Sequence, residues 1–264
     1  MSRSSTPVPH RHGSVNPVSR QLRLRLSSLL VGGLLFSCMA AAHTTFETSS
    51  MNEGVRVLNN VQIGHACGTG TSVIGTSVVF PDGKDSTILL GGQVSTTARL
   101  ADFLTTWGPN IQPLIDRAVF TTVDEKNDAN GNVVGFWAGG GPGMPNHMVG
   151  YLPFRVNATR ITPTSCAISV QLRASIVDVC EISTAARLHN DGIAEFWTSN
   201  TLGSLYDSKE ADNAARLTIN RNLSTNPLPA SCNGAGVAVE VRPSKAQLER
   251  DMPIRIDGVQ IWPK

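Results

Sequence analysis

Long apolar runs, basic stripes and recognised catalytic spacings are all missing from this sequence, and each absence removes a class of function. Beyond residue 42 no stretch approaches the roughly 20 apolar residues that a membrane-spanning helix requires. The formal net charge is +2 over 264 residues, with several arginines near the N-terminus, so the remainder is close to neutral or slightly acidic. No basic face is left to neutralise phosphates, which excludes nucleic acid as a partner. There is no G-x-S-x-G elbow, no H-E-x-x-H and no P-loop. Aspartate and glutamate are scattered without a spacing that pairs them, so no hydrolase centre is visible. No internal repeat occurs, and the only low-complexity segment is the glycine run Gly139–Gly143.

What is present begins with an export signature. Arg20, Arg23 and Arg25 form a positive cluster, Leu26 to Phe36 is an uncharged apolar run, and Ala40-Ala41-Ala42 supplies the small residues a signal peptidase accepts. Residues 1–42 therefore read as a secretory signal, and the mature chain, 43–264, begins at His43. An alternative is a lipobox at Leu35-Phe36-Ser37-Cys38, in which Cys38 would be lipidated; Phe36 stands where a small residue is usual. Either way the protein is expected to be secreted, periplasmic or associated with the outer surface. The stretch before Arg20 is long for a signal and fits an upstream start codon, which would leave His10 and His12 without a role.

Of the 5 cysteines, Cys67, Cys166, Cys180 and Cys232 fall in the mature chain. An even count in an exported protein predicts two disulfides; a zinc site would want a C-x-x-C pair, and none exists. If Cys166 to Cys180 is one extended strand, its ends lie roughly 45 Å apart at about 3.3 Å per residue, beyond the ~7 Å that a disulfide allows. Two pairings remain open: Cys67–Cys166 with Cys180–Cys232, or Cys67–Cys180 with Cys166–Cys232.

The residue pattern is mainly β. Val55–Ile63, Ser72–Phe80, Val133–Trp137, Tyr151–Ala158, Cys166–Cys180, Gly236–Val241 and Ile254–Trp262 are rich in β-branched and aromatic residues or alternate in polarity. Turn chemistry separates them at Pro81-Asp82-Gly83, Asn127–Asn132 and the Gly139–Gly143 run. The expectation is a sandwich-like all-β single domain with long loops and two disulfides. Helix is minor: Thr97–Thr105 places Leu100, Phe103 and Leu104 on one face, Ile111–Val119 adds another turn or two, and Ser244–Arg250 starts behind a proline with Ser244 as N-cap.

Histidine is scarce in the mature chain, at positions 43, 65, 147 and 189. His43, as a first residue, would offer its α-amine and its imidazole together, a chelate suited to copper, which heads the divalent affinity order. His65 lies two residues before Cys67, so a disulfide would rigidify it. His147 follows the glycine run between Met144 and Met148, where imidazole and thioether together suit copper in either oxidation state, the thioether favouring Cu(I). His189 sits in a polar turn. The metal candidates are thus His43, His65 and His147. An imidazole binds metal only when neutral, so affinity is expected to fall below about pH 6.5. Asn127–Asn132 has some calcium-loop character, but Lys126 occupies the first ligand position and Trp137 the twelfth; it reads as a hairpin turn with at most weak calcium binding.

These segments resemble a known family. His43-Thr44-Thr45-Phe46-Glu47-Thr48, Ile63-Gly64-His65-Ala66-Cys67, Val79-Phe80-Pro81-Asp82-Gly83, Leu152-Pro153-Phe154-Arg155 and Gln260-Ile261-Trp262-Pro263 look like the CorA/MopE copper-repressible surface proteins of methane-oxidising bacteria. That resemblance implies copper held by two histidines and by a tryptophan oxidised to kynurenine. Here it implies His65 with another of the four histidines and one of Trp107, Trp137, Trp197 and Trp262, though the W-x-H arrangement of one family member is absent. A second resemblance, through Ala42-His43 and a following β-sandwich, is to YcnI-like periplasmic copper proteins, and implies an N-terminal histidine brace with Glu and Trp partners. The function expected is copper sequestration or delivery without catalysis, with the outer-membrane surface or another copper-handling protein as partner. The alternatives are a disulfide-stabilised adhesion module without metal and a copper oxidase or oxygenase built on the brace.

Overall fold

A computed structural model describes residues 43–107 and 110–264; the export signature and the Cys38 alternative lie outside the described residues. The described chain forms strands β1 (Thr45–Phe46), β2 (Ser50–Asn52), β3 (Val57–Ile63), β4 (Ser72–Val79), β5 (Thr87–Leu90), β6 (Gln93–Ser95), β7 (Ile111–Pro113) and β8 (Thr122–Asn127). It continues through β9 (Val133–Pro145), β10 (Gly150–Val156), β11 (Ala167–Val179), β12 (Ala194–Trp197), β13 (Ala215–Asn220) and β14 (Val237–Arg242). An α-helix, α1 (Lys245–Asp251), precedes the hairpin β15 (Ile254–Ile256) and β16 (Val259–Trp262).

Two sheets face each other. One has the order β1-β3-β10-β7; the other runs β6-β5-β14-β11-β4-β9-β8, with β12 and β13 also on β11 and β2 on β13. In β3 the inward positions Asn59, Val61 and Ile63 are buried while Leu58 is exposed, the period-two pattern of a sheet with one covered face. Phe46, Val61, Ile63, Leu152 and Phe154 of the small sheet share a core with Val78, Phe136, Leu172 and Ile176 of the large one. Phe154 sits among Phe46, Phe80 and Phe136 with ring centroids 5.2, 5.8 and 5.8 Å away. The expected sandwich of mainly β character is what the chain forms.

The centre of the large sheet is buried on both faces. Val78 and Ile176 point into the inter-sheet core, whereas Val79, Val177 and Val179 enter a second cluster with Leu248, Met252, Ile254 and Trp262. That second layer is α1 and the C-terminal hairpin. Ser244 caps α1 as anticipated, its hydroxyl accepting from the Gln247 N–H at 3.1 Å.

Strand β11 organises the site end. Its first half pairs with β13 and β14, its second half, Ser175–Val179, with β4 and β12. Both cysteines that flank it are oxidised, Cys67–Cys180 and Cys166–Cys232, at Cα separations of 6.1 and 5.6 Å. This is one of the two pairings left open, and the extended run between Cys166 and Cys180 keeps those two apart.

Three local expectations are corrected. Ile111–Val119 is not helical: Ile111–Pro113 is an edge strand on β10, where the missing N–H of Pro113 is harmless and Gln112 before it favours extended backbone. Thr97–Thr105 contains only a 3-10 turn, Leu100–Asp102, although Leu100, Phe103 and Leu104 are buried as their spacing implied. The glycine run lies within β9 rather than in a turn. Gly139 pairs with Gly75 and Met144 with Val73, so Gly140–Gly143 form a wide bulge. Gly143 adopts φ +78°, and a Cβ there would come 3.0 Å from the Val73 carbonyl oxygen, which is why glycine occupies it.

Candidate metal centre

Two histidines meet on one tryptophan. The His43 imidazole contacts the indole of Trp197 with centroids 5.0 Å apart, and His65 contacts the same indole at 5.7 Å, both edge-on. Trp197 is buried on β12, His43 is exposed and His65 half-buried. The chain reaches this arrangement from three directions: the segment before β1, the loop after β3, and the strand beside the end of β11.

The loop carrying His65 is fixed on both sides of the ring. Cys67 is bonded to Cys180 at the end of β11. The Ala66 N–H donates to Asn146 Oδ1 at 3.0 Å. His65 Nδ1 lies 2.7 Å from the Ala66 carbonyl oxygen; a carbonyl only accepts, so Nδ1 carries the proton and the lone pair is on Nε2. A ring held by a backbone carbonyl through one nitrogen, with the other free, is the usual preparation of a metal-ligating histidine.

At the N–H edge of the indole lies Asp178, fully buried. Its Oδ2 accepts from Trp197 Nε1 at 2.8 Å and from the Thr44 hydroxyl at 2.6 Å, and its Oδ1 from the Thr76 hydroxyl at 2.5 Å. Thr44 follows His43 in the chain and is 1% exposed, so this bond pins the start of the described chain to the core of the large sheet. Burial pushes the Asp178 carboxyl above its ordinary value, while the three donors and nearby His65 pull it back. Glu195 stands opposite Asp178 in the β11–β12 register. Burial raises its carboxyl as well, with His65 opposing and Asp178 and Glu210 adding to the rise.

The other candidates lie elsewhere. His147 is exposed in the turn between β9 and β10, next to Asn146, and makes no ring contact with Trp197; Met144 is buried and Met148 exposed. His189 stacks on Phe196 at 4.3 Å and its Nε2 bonds the Leu205 carbonyl at 2.9 Å, a structural role. Trp107 donates to the Pro81 carbonyl, and Trp137 and Trp262 belong to the second core. Among the described residues no three His, Cys, Asp or Glu side chains converge closely enough to hold a metal. The donors at this place are therefore two imidazoles and, if the chain begins at His43, its α-amine. The calcium-like loop is a hairpin turn: Asp128 accepts from the N–H groups of Asn130 and Asn132 and from the Asn132 side chain, so both its oxygens serve the turn.

Sequence reasoning named His43 and His65 by residue type but left the tryptophan open and did not single out Asp178. The available signal for the latter was an acid in the apolar run Ile176-Val177-Asp178-Val179, at a position that points into a sheet interface.

No family model matches the chain, and no curated protein matches it. A solved structure similar to it is that of an uncharacterized protein from Nocardia farcinica described as having an immunoglobulin-like fold. It is 12% identical over 68% of this chain and 98% of that one, with a TM-score of 0.33. No described helix is long and apolar enough to cross a membrane. The two disulfides suit an oxidising compartment.

Proposed function

We propose that this protein binds copper at His43 and His65, with Trp197 as the wall between them, and sequesters or delivers the metal outside the cytoplasm. The observation that carries this reading is the convergence of those two imidazoles on one indole, from residues far apart in sequence. Each is prepared differently: His43 would bring an amine and an imidazole in one chelate, and His65 presents Nε2 from a clamped loop. Both resemblances call for a tryptophan at the copper site, and the contacts of Trp197 with His43 and His65 support it for that role; in the CorA/MopE pattern it is the residue that would be oxidised to kynurenine. His147 and the thioether of Met148, on the turn that Asn146 ties to the His65 loop, would serve as an outer stop for Cu(I). Secretion, a periplasmic place or attachment to the outer surface all suit this role, and no catalysis is proposed.

The adhesion-module alternative predicts histidines scattered through the fold, and the meeting of two of the four on Trp197 favours copper. Titration of the protein processed to His43, with Cu(II) and with Cu(I) under reductant, tests the proposal. Stoichiometric tight binding that is lost in His65→Ala and kept in His189→Ala is expected. Binding no tighter than to a generic surface would overturn it. An intact mass of the native protein would locate the first residue and reveal a converted Trp197.

A further inference from the structure

Among the described residues Lys126 is the only buried lysine. Strand β8 turns it inward, where Nζ donates to Ser77 Oγ and, at 3.1 Å, to the Met252 carbonyl. Ser77 Oγ donates to that same carbonyl at 2.6 Å. Asp251, the acid whose charge acts on the amine, is itself held by the Arg250 guanidinium at 2.8 and 2.7 Å. Two acceptors match the two hydrogens of a neutral amine, whose remaining tetrahedral direction is its lone pair. An ammonium would carry a third N–H, and the described residues offer it no third acceptor. Burial works the same way, lowering Lys126 from 10.5 to about 7, with Asp251 opposing and Arg255 assisting.

Lys126 lines a cavity of about 180 Å³ together with Trp137, Asp251, Pro253 and Arg255. The Arg255 guanidinium bonds only neutral groups, the Arg250 carbonyl at 2.9 Å and Gln260 Oε1 at 3.3 Å. Arg250, on the same wall, is already matched by Asp82, Asp85 and Asp251. Glu125 also borders the cavity, but it is exposed and alternates to the other face of β8, opposite Phe136. The cavity thus joins a nucleophilic amine to a cation that lacks a counter-charge among the described residues. A simple aldehyde would leave that cation unused, because an imine carries no negative charge. Carbon dioxide uses both groups.

We infer that Lys126 binds CO2 reversibly, as a carbamate inside this cavity that the charge of Arg255 stabilises. The Nζ lone pair bonds the carbon of CO2, and one C=O electron pair moves onto oxygen. One N–H proton leaves to buffer, and the other N–H keeps one of its two acceptors. No oxidant or reductant is needed. None of these residues belongs to the proposed copper site, so the inference stands apart from that reading.

The test is 13C NMR of the whole processed protein under labelled CO2 and bicarbonate, at fixed pH. One carbamate signal per chain is expected at CO2 levels that leave the exposed Lys84, Lys209, Lys245 and Lys264 unmodified. Its intensity at constant dissolved CO2 should rise through about pH 7, since only the unprotonated amine reacts. Lys126→Met should lose this signal and keep any from the chain's α-amine. Arg255→Gln should need on the order of tenfold more CO2. CO2 should also raise the wild-type melting temperature and leave that of Lys126→Met unchanged. A missing signal, one that survives in Lys126→Met, or an unchanged CO2 requirement in Arg255→Gln overturns the inference. If either variant does not fold, trapping the wild-type carbamate with an oxonium alkylating agent decides by peptide mass: the Lys126 peptide carries it, or the inference fails.

Discussion

Cys67 and Cys180 join the loop of His65 to the strand of Asp178, the disulfide standing two residues from each. Removing it by Cys67→Ala with Cys180→Ala should cost about 2–5 kcal/mol of stability and also loosen His65. The Cys166→Ala/Cys232→Ala pair closes a loop far from Trp197 and should cost comparable stability while leaving copper affinity unchanged. Urea unfolding and copper titration on both double variants separate the two effects. Equal copper affinities in the two would show that the clamp does not position His65.

Lys126 is buried among α1, β4 and β8, its Nζ donating to Ser77 Oγ and, at 3.1 Å, to the Met252 carbonyl. Burial lowers it from 10.5 to about 7, with Asp251 opposing and Arg255 assisting. The unfolded chain then binds more protons between about pH 7 and 10.5, so stability rises with pH across that window. Lys126→Met should be more stable than wild type near neutrality by an amount on the order of a few kcal/mol, the gain shrinking toward pH 10. Urea melts across the window check it; a constant difference would refute it.

Phe154 is fully buried where the two sheets meet on Phe46, Phe80 and Phe136. Phe154→Ala should cost about 3–5 kcal/mol, the largest single loss among these substitutions. Calorimetry measures it, and a loss below about 1 kcal/mol would mean that the sheets close over the gap.

The β8–β9 turn depends on Asp128. Burial by itself would raise its carboxyl, but donors from Asn132 and Asn130 and the nearby Arg250 hold it below the usual carboxylate value. A depressed folded-state value stabilises above the unfolded value near 3.9 and loses that contribution as pH falls through the folded one. Asp128→Ala should therefore lower stability by about 1–2 kcal/mol near neutral pH, with the difference fading in acid. Calcium should leave the melting temperature of wild type unchanged, and a rise would restore the calcium reading.

The long strands β3, β4, β9, β10 and β11 were legible, with period-two alternation clearest where one face is covered, as in β3 and β10. The short strands β1, β2, β5 to β8, β12 and β13 were not, and Ile254–Trp262 proved to be a hairpin rather than one strand. The misses have local causes. At Ile111–Val119 an apolar spacing fits helix and edge strand alike, and the proline decides. In β9 the glycines that usually mark a turn instead permit a bulge inside a strand. The site was legible only in part. His43 and His65 could be named from their chemistry, but Trp197 and Asp178 become neighbours through the pairing of β11 with β12, which no spacing in the sequence encodes. The choice between the two disulfide pairings needed the same tertiary information.

Thr44 hangs from Asp178, a residue 134 positions further along the chain. If the chain is processed to His43 as proposed, its beginning is therefore the last place that could tolerate an appended tag or a ragged cut. A protein lacking His43 and Thr44 would keep its sandwich and lose both the proposed ligand His43 and a tether of the buried acid. Copper titration on such a preparation would read the quality of the N-terminus as much as the affinity of the site.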